Sequence, residues 1–163
     1  MSERVEKLIK DYPKMKVEAR CLELQIKDFK GISEEDMIES MNFSQPDGER
    51  VQTSNISNKP ESIALSYHER MEEANRDWYE YLTRRYLELA EELRFFESAV
   101  RSLEGEPGRV LRSMLFDGLT WDEIEAHHHI GRMTVSRQRR AAIAELSKLY
   151  DDHENKMVAY LLS

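Results

Sequence analysis

Residues 119–149 read LTWDEIEAHHHIGRMTVSRQRRAAIAELSKL, and this stretch decides the fold of the C-terminal part of the chain. Thr120 is followed three residues later by Glu123, which is the spacing of a capping box at the start of a helix. Gly131 then indicates a tight turn, and from Arg132 to Leu149 no Gly or Pro interrupts the sequence. The stretch therefore predicts a short helix, a tight turn and a longer basic helix.

The residues just upstream predict one more helix. Apolar residues recur at helical spacing between 108 and 116, and Asp117-Gly118 is a typical turn dipeptide. The order helix, turn, short helix, turn, basic helix is typical of a helix-turn-helix module that binds DNA. We expect this module, with a helical extension, to cover residues 105–163.

The basic helix supplies the candidate binding residues. A helix fits the major groove with its N-terminal residues at the base edges, and an arginine there can donate two hydrogen bonds to guanine. Helix 132–149 is therefore expected to bind double-stranded DNA. The residues expected at base edges are Arg132, Met133, Ser136 and Arg137, and those expected at phosphates are Thr120, Thr134, Arg139 and Arg140.

Charge is distributed unevenly along the chain. The 163 residues carry a formal net charge of −8, whereas residues 131–148 contain five basic residues and one acid. DNA responds to the charge of the docking face rather than to the total, so the negative sum does not exclude it. The alternative is that these arginines only solvate a surface helix. We favour DNA binding because the run follows a capped helix and a tight turn.

The first segment of the chain has the apolar pattern of a helix that pairs with another helix. Its apolar residues are spaced alternately by three and four, the seam of a coiled coil or helical hairpin. They are Val5, Leu8, Tyr12, Met15, Ala19, Leu22, Ile26 and Phe29. Pro13 predicts a short helix, a kink and a second helix, because proline removes a backbone donor and disfavours the α conformation at Tyr12. Gly31 is expected to end the helix, and short helical turns are expected at 33–41, so the N-terminal segment covers 1–42.

The next segment, 43–60, is rich in Ser, Asn, Pro and Gly and predicts a linker or loop. Residues 61–104 contain no Gly or Pro and predict one long amphipathic helix. Such a helix needs a partner for its apolar stripe. An antiparallel hairpin with the first helix is the simplest arrangement, and dimerisation through the same stripe is the alternative. The aromatic residues of this helix are expected in a core or an interface: Trp78, Tyr79, Tyr81, Phe95 and Phe96.

Several classes of protein are disfavoured. The single cysteine, Cys21, excludes an intramolecular disulfide. The charged N-terminus is unlike a signal peptide, and no apolar run is long enough for a membrane span, so a cytoplasmic location is expected. His127, His128 and His129 lack a complete set of zinc ligands, and no phosphate loop or nucleophile motif is present. We expect no enzymatic activity, no metal and no cofactor.

The C-terminal motif also resembles a known family. LTWDEI followed by IGRMTVSRQRRAAIAEL is similar to region 4 of sigma-70-type transcription factors and to the phage sigma-like regulators related to the RinA and ArpU late-gene activators. Residues 30–57 resemble the N-terminal part of a phage protein family that carries such a module. The resemblance implies a phage or prophage transcriptional regulator that contacts RNA polymerase. Uncharged residues at Met133, Thr134 and Ser136 differ from sigma region 4, and nothing resembles the promoter-melting region.

Two other functions compete with transcriptional regulation. A small terminase-type packaging protein also joins a helix-turn-helix to oligomerising helices, and it predicts a ring of many subunits. A protein-interaction module of long amphipathic helices predicts no salt-sensitive affinity for DNA. The similarity of residues 119–149 to sigma region 4 favours the regulator.

Overall fold

The computed structural model describes residues 1–33, 35 and 59–163, and in the last of these ranges it describes side chains from Tyr67 onward. These residues form five helices and no strand, which confirms the all-α prediction for them. The helices are α1 (Ser2–Lys27), α2 (Lys59–Ser102), α3 (Gly105–Leu115), α4 (Trp121–His128) and α5 (Arg132–Leu161). The helical turns predicted at 33–41 and the linker predicted at 43–60 lie almost wholly outside the described residues. The boundaries of the four predicted segments stay predictions.

The chain divides into two compact units. One comprises Met1–Arg20 and Glu88–Ser163, and is called the reading unit here because it contains residues 119–149. The other comprises Cys21–Leu87 and is called the arm unit.

Helix α1 continues through Pro13, so the prediction of two helices separated by a kink is wrong. Proline cannot donate the backbone hydrogen bond that position 13 would make to Ile9. The helix persists because both preceding turns are held by packing: Leu8 is 7% exposed and Tyr12 is 6% exposed. Packing over this part of α1 therefore outweighs the lost hydrogen bond.

The apolar seam predicted for α1 is confirmed, since none of its eight residues is classed as exposed. In the reading unit, Tyr12 contacts α2 through Phe96, with ring centroids 5.6 Å apart, and its ring also lies 6.1 Å from that of Phe116. Val5 and Val100 are fully buried beside them. The predicted pairing of α1 with α2 is present in this unit.

A polar cluster borders this contact. The Tyr12 hydroxyl donates to Glu97 Oε1 over 2.8 Å, and Lys16 Nζ donates to the same oxygen over 3.0 Å. Burial raises the pKa of Tyr12 to about 12, and the hydrogen bond to the carboxylate acts in the same direction. Burial alone would raise the pKa of Glu97, but the hydrogen bonds from Lys16 and Tyr12, together with the charges of Lys16 and Arg101, lower it by more than burial raises it. The carboxylate of Glu97 is therefore held in its charged form.

In the arm unit, the segment that follows α1 contacts α2. The ring of Phe29 meets that of Tyr79 at 5.0 Å, and farther along the chain the Ile32 amide donates to Asn75 Oδ1 over 2.6 Å. From Phe29 to Ile32 the residue number rises, while from Tyr79 to Asn75 it falls, so the two segments run antiparallel here. Gly31 lies four residues beyond the end of α1, and its φ of +87° lets the chain turn against Asn75.

Three aromatic residues of α2 lie outside the core of this chain, so for them only the interface alternative of the prediction remains. Trp78, Tyr79 and Tyr81 are 42%, 42% and 53% exposed. Trp78 and Tyr81 stack on each other with centroids 5.5 Å apart, which places both on the outer face of α2. The period alone could not distinguish this second apolar stripe from the buried one that contains Leu82 and Leu89.

The join between α2 and α3 is held by a close approach. Arg112 donates from Nη1 to the carbonyl of Leu103 over 2.8 Å and to that of Val100 over 3.3 Å. These carbonyls lie at the end of α2, where the Val100 oxygen accepts from the Leu103 amide over 3.3 Å and the helix has no further turn to supply donors to Leu103. A Cβ on Gly108 would lie 2.2 Å from the Leu103 oxygen, so only glycine at position 108 lets α3 approach the end of α2 this closely. The end of α2 thereby fixes the position of α3.

Candidate nucleic-acid interface

Helices α3, α4 and α5 pack around a small apolar core. Val110 on α3, Ile124 on α4 and Val135 on α5 are all fully buried and contact one another. Four partly buried residues surround them, namely Met114, Leu119, Trp121 and Ile130. Each helix contributes one fully buried aliphatic side chain, so the angle between α4 and α5 depends on this core.

The start of α4 is capped as the sequence predicts. The Glu123 amide donates to Thr120 Oγ1 over 3.3 Å, and the Thr120 amide donates to Glu123 Oε2 over 2.7 Å. This reciprocal pair is a capping box and it fixes the first turn of the helix. Thr120 itself is exposed. The predicted phosphate contact at this residue therefore concerns an accessible helix N-terminus, where an anion is favoured.

A three-residue turn joins α4 to α5. His129 has φ +55° and ψ +43°, the left-handed conformation that glycine most often provides at the end of a helix. The Ile130 amide then donates back to the Glu125 carbonyl over 3.2 Å. Gly131 is the N-cap of α5 in an extended conformation, and its carbonyl accepts from the amides of Thr134 and Val135. The predicted tight turn is present, with histidine in the strained position.

The outer face of α5 carries a basic stripe, which we define as Met133, Arg137, Arg140 and Lys148. All four are exposed, and Met133 is 87% exposed although it is apolar. Their separations of four, three and eight residues keep them on one face of the helix, opposite Val135 and Ile143. Among the described residues, no carboxylate lies within ion-pair distance of the three cations of this stripe.

Arg132 differs from the stripe because it already has partners. Its Nη1 lies 3.0 Å from Asp122 Oδ1, and its guanidinium lies 5.6 Å from the centroid of the Trp121 ring. Both members of the ion pair are largely exposed, with side chains 65% and 84% accessible. A pair in this setting adds little to stability and can exchange for another anion.

Arg139 lies on the inner side of α5 rather than with the basic stripe. It is partly buried and lines a groove of about 730 Å³ together with Trp121, Met114 and residues of α1 such as Ile9 and Lys10. Thr134 and Ser136 are partly exposed and flank the stripe. Of the eight predicted site residues, three (Met133, Arg137 and Arg140) thus lie together on the exposed face of α5, and Arg139 lies on its other side.

Two members of the site were absent from the sequence-based set. Lys148 extends the basic stripe, and continuing the spacing of Arg137, Arg140 and Ala144 would have found it. Asp122 pairs with Arg132 across ten residues, a contact that arises only because the turn folds α4 against α5. The sequence contains no local signal for that pair.

The histidine run has a structural environment. His128 Nε2 lies 2.9 Å from Ser113 Oγ, and its Nδ1 lies 3.7 Å from Glu106 Oε1. His127 is exposed and its ring meets that of His128 edge to face. In the described part of the chain, no group of three or more His, Cys, Asp or Glu side chains is arranged to hold a metal ion. His128 joins α4 to α3.

Comparison of the chain with protein-family models, curated proteins and solved structures gives no match. Within residues 1–33, 35 and 59–163, no helix combines the length and the apolar character needed to cross a bilayer. The argument for function therefore depends on the geometry and charge of α4 and α5.

Proposed function

We propose that this protein is a sequence-specific, double-stranded DNA-binding transcriptional regulator in which α3, α4 and α5 form a helix-turn-helix module. The basic stripe carries the proposal. Several exposed arginines of the reading unit pair with acids, as Arg4 does with Glu154, Arg101 with Glu97 and Arg109 with Glu106, whereas Arg20 and Arg94 do not pair with any described acid. Arg137 and Arg140 have no acidic partner among the described residues, although the chain carries 32 acids. Unpaired guanidinium groups on an open helix face are suited to anionic polymers.

In the proposed complex, the first half of α5 occupies the major groove. Arg137 lies at the centre of the stripe and donates to a guanine edge, while Met133 contacts a thymine methyl group or a base face. Arg140 and Lys148 lie one and three turns farther along and contact phosphates as the groove curves away. Thr120 and the N-terminus of α4 hold a phosphate beside the groove.

The inner position of Arg139 removes it from this contact set. A side chain that lines the groove toward α1 cannot reach DNA docked on the opposite face of α5. The phosphate contact predicted for Arg139 from the sequence is therefore not part of the proposal. It supplies instead a matched control for Arg137, with the same charge on the same helix two residues away.

The test is a selection from a pool of genomic fragments at two salt concentrations, with the retained fragments sequenced. Promoter-proximal enrichment and an affinity that falls steeply with salt are expected. The contacts with RNA polymerase proposed for such a regulator are checked by pull-down with the purified enzyme. A protein that shows neither enrichment nor salt-dependent binding would end the DNA proposal. Its helices would then form a protein-interaction module.

A further inference from the structure

The buried face of α5 continues beyond the elements that cover it. Tyr150 is 3% exposed and packs edge to face on Phe95, with centroids 4.9 Å apart. One turn later His153 stacks on the same Phe95 at 4.2 Å, and Glu154 pairs with Arg4 of α1. From Asn155 onward every residue of the chain is exposed. Among the described residues, the packing within the chain therefore stops at Glu154, whereas the helix continues to Leu161.

The sequence of this uncovered part still has the period of a packed helix. Tyr150, His153, Met157, Tyr160 and Leu161 follow each other at spacings of three, four, three and one. These positions continue the face of Leu146 and Tyr150, both of which are buried, and Phe95 of α2 covers Tyr150. Spacings of three and four along a helix form the seam by which two helices pair. The uncovered turns thus extend an existing helix-packing surface.

The uncovered surface is also large for a single chain. The terminal patch, which we define as Met157, Val158, Tyr160, Leu161 and Leu162, is between 51% and 83% exposed at each residue. At these exposures the five residues together present on the order of 500 Å², which is within the range of the largest apolar patch on an ordinary monomer. Residues 157–162 contain no charge. Such a patch marks an interaction surface rather than a solvated helix end.

We propose that the terminal patch binds the terminal patch of a second copy of this chain, the two α5 helices pairing about a two-fold axis. The terminal patch is continuous with the face of α5 that packs inside the chain, which favours a helix as its partner. In a two-fold pair, each copy contributes the same face of α5 to the interface. The dimer itself does not require the proposed function. Only its purpose, which is to place two α5 helices on one DNA duplex, rests on that function.

The area sets the strength of this dimer. Stable interfaces bury about 800 Å² per partner, somewhat more than the patch presents alone. The dimer is therefore weak in solution and is completed on DNA. Arg137 and Met157 are separated by roughly 30 Å of helix at 1.5 Å per residue. Two copies joined at their terminal patches thus hold their stripes at most roughly 60 Å apart, and the angle between the two α5 helices sets the actual distance. Half-sites one helical turn apart, about 34 Å, lie inside this range.

The first test measures mass by sedimentation equilibrium from 1 to 200 µM, with the full chain. The unaltered protein is expected to approach twice the chain mass of 19.3 kDa as concentration rises. The double variant Met157→Glu/Leu161→Glu is expected to weaken dimerisation at least about 100-fold, since each buried aliphatic side chain contributes roughly 1.5–3 kcal/mol. The control is Val17→Glu/Leu24→Glu, which alters two apolar residues of α1 that are 70% and 52% exposed.

The second test uses the single cysteine of the chain. Cys21→Ser combined with Met157→Cys gives one thiol in the terminal patch, and Cys21→Ser combined with Met133→Cys gives one thiol at the other end of α5. Under mild oxidation the Met157 variant is expected to form a covalent dimer at least about ten times faster. Met133 is the more exposed of the two, so accessibility alone predicts the opposite order.

The outcomes separate the dimer from DNA binding. A chain that stays a monomer at 200 µM and also on its selected DNA would overturn the dimer while leaving the proposed function intact. Dimerisation without any DNA binding would overturn the proposed function and leave the dimer intact. Assemblies larger than two copies, equal loss of dimer in the α1 control, or capture of the monomer by phosphatidylcholine vesicles through the patch would each overturn the two-fold pair.

Discussion

Tyr12 and Tyr150 are two buried tyrosines of the reading unit, and their hydroxyl groups have different environments. The Tyr12 hydroxyl donates to Glu97, whereas the Tyr150 hydroxyl is buried without a partner among the described residues. A buried polar group without a partner costs free energy, and a hydrogen bond to a charged acceptor stabilises. The two residues therefore form a matched pair for the same substitution.

We expect Tyr12→Phe to lower the free energy of unfolding by about 2 kcal/mol, the usual value for a hydrogen bond to a charged group. Tyr150→Phe is expected to leave it unchanged or raise it slightly, since the ring contact with Phe95 is kept. Urea denaturation of the two variants measures the difference. Equal losses in both would mean that the Glu97 contact contributes nothing.

The polar cluster around Glu97 also predicts a dependence of stability on pH. The pKa of Glu97 is lower in the folded chain than the ordinary 4.5, so its stabilising effect is complete above pH 4.5 and is lost as the pH falls through the folded value. Glu97→Gln is therefore expected to be less stable than the unaltered chain at pH 7, with the gap closing below pH 4.5.

Denaturation curves at pH 3.5, 5 and 7 test this expectation. Glu91→Gln is the control, because Glu91 is an exposed carboxylate on the same helix. A gap for Glu97→Gln that stays constant over the three pH values would contradict the assigned charge state.

At the scale of the element, the turn between α4 and α5 stores strain at one residue. His129 adopts a left-handed conformation that costs a residue with a Cβ about 1 kcal/mol relative to glycine. We expect His129→Gly to raise the free energy of unfolding by about that amount. His127→Gly is expected to lower it by a similar amount, because His127 lies inside α4 and glycine weakens a helix interior. Thermal and chemical denaturation would show the opposite signs, and two losses would refute the strain at His129.

The elements also show what the sequence could predict. Local signals sufficed for α4 and the start of α5, because Thr120, Glu123 and Gly131 act within one turn of their own positions. Pro13 gave the wrong expectation because packing on α2, a contact remote in sequence, keeps the helix intact. Leu149 is 40% exposed, whereas its neighbour Tyr150 is buried. The burial of Tyr150 depends on Phe95 of α2, and no pattern within α5 contains this information.

At the scale of the whole molecule, the orientation of each arginine decides its expected effect on DNA binding. Arg137→Ala is expected to weaken binding to the selected site by about tenfold or more, since one bidentate guanine contact provides roughly 1–3 kcal/mol. Arg139→Ala is expected to change it less than threefold, because that side chain lies toward α1. Fluorescence anisotropy on selected and scrambled duplexes distinguishes the two. Equal losses would place Arg139 at the DNA.

The packing of the whole molecule also explains which part of the candidate site could not be predicted from the sequence. The composition and order of residues 119–149 sufficed to locate the basic helix, but they did not show which arginines share its open face. That division depends on α1, which lies against the inner side of α5 at Arg139 and comes from the opposite end of the chain.

The ion pair between Arg132 and Asp122 has a consequence for how affinity is gained. In the free protein the carboxylate already occupies the guanidinium, so a phosphate that approaches Arg132 must displace it. In the proposed complex Arg132 would therefore act by exchange, and its contribution would be the difference between two anions. Displacing Asp122 would cost the same on every duplex, about 0–1 kcal/mol for an exposed pair. Asp122 would thus act as an internal competitor that lowers the affinity for selected and unselected duplexes alike.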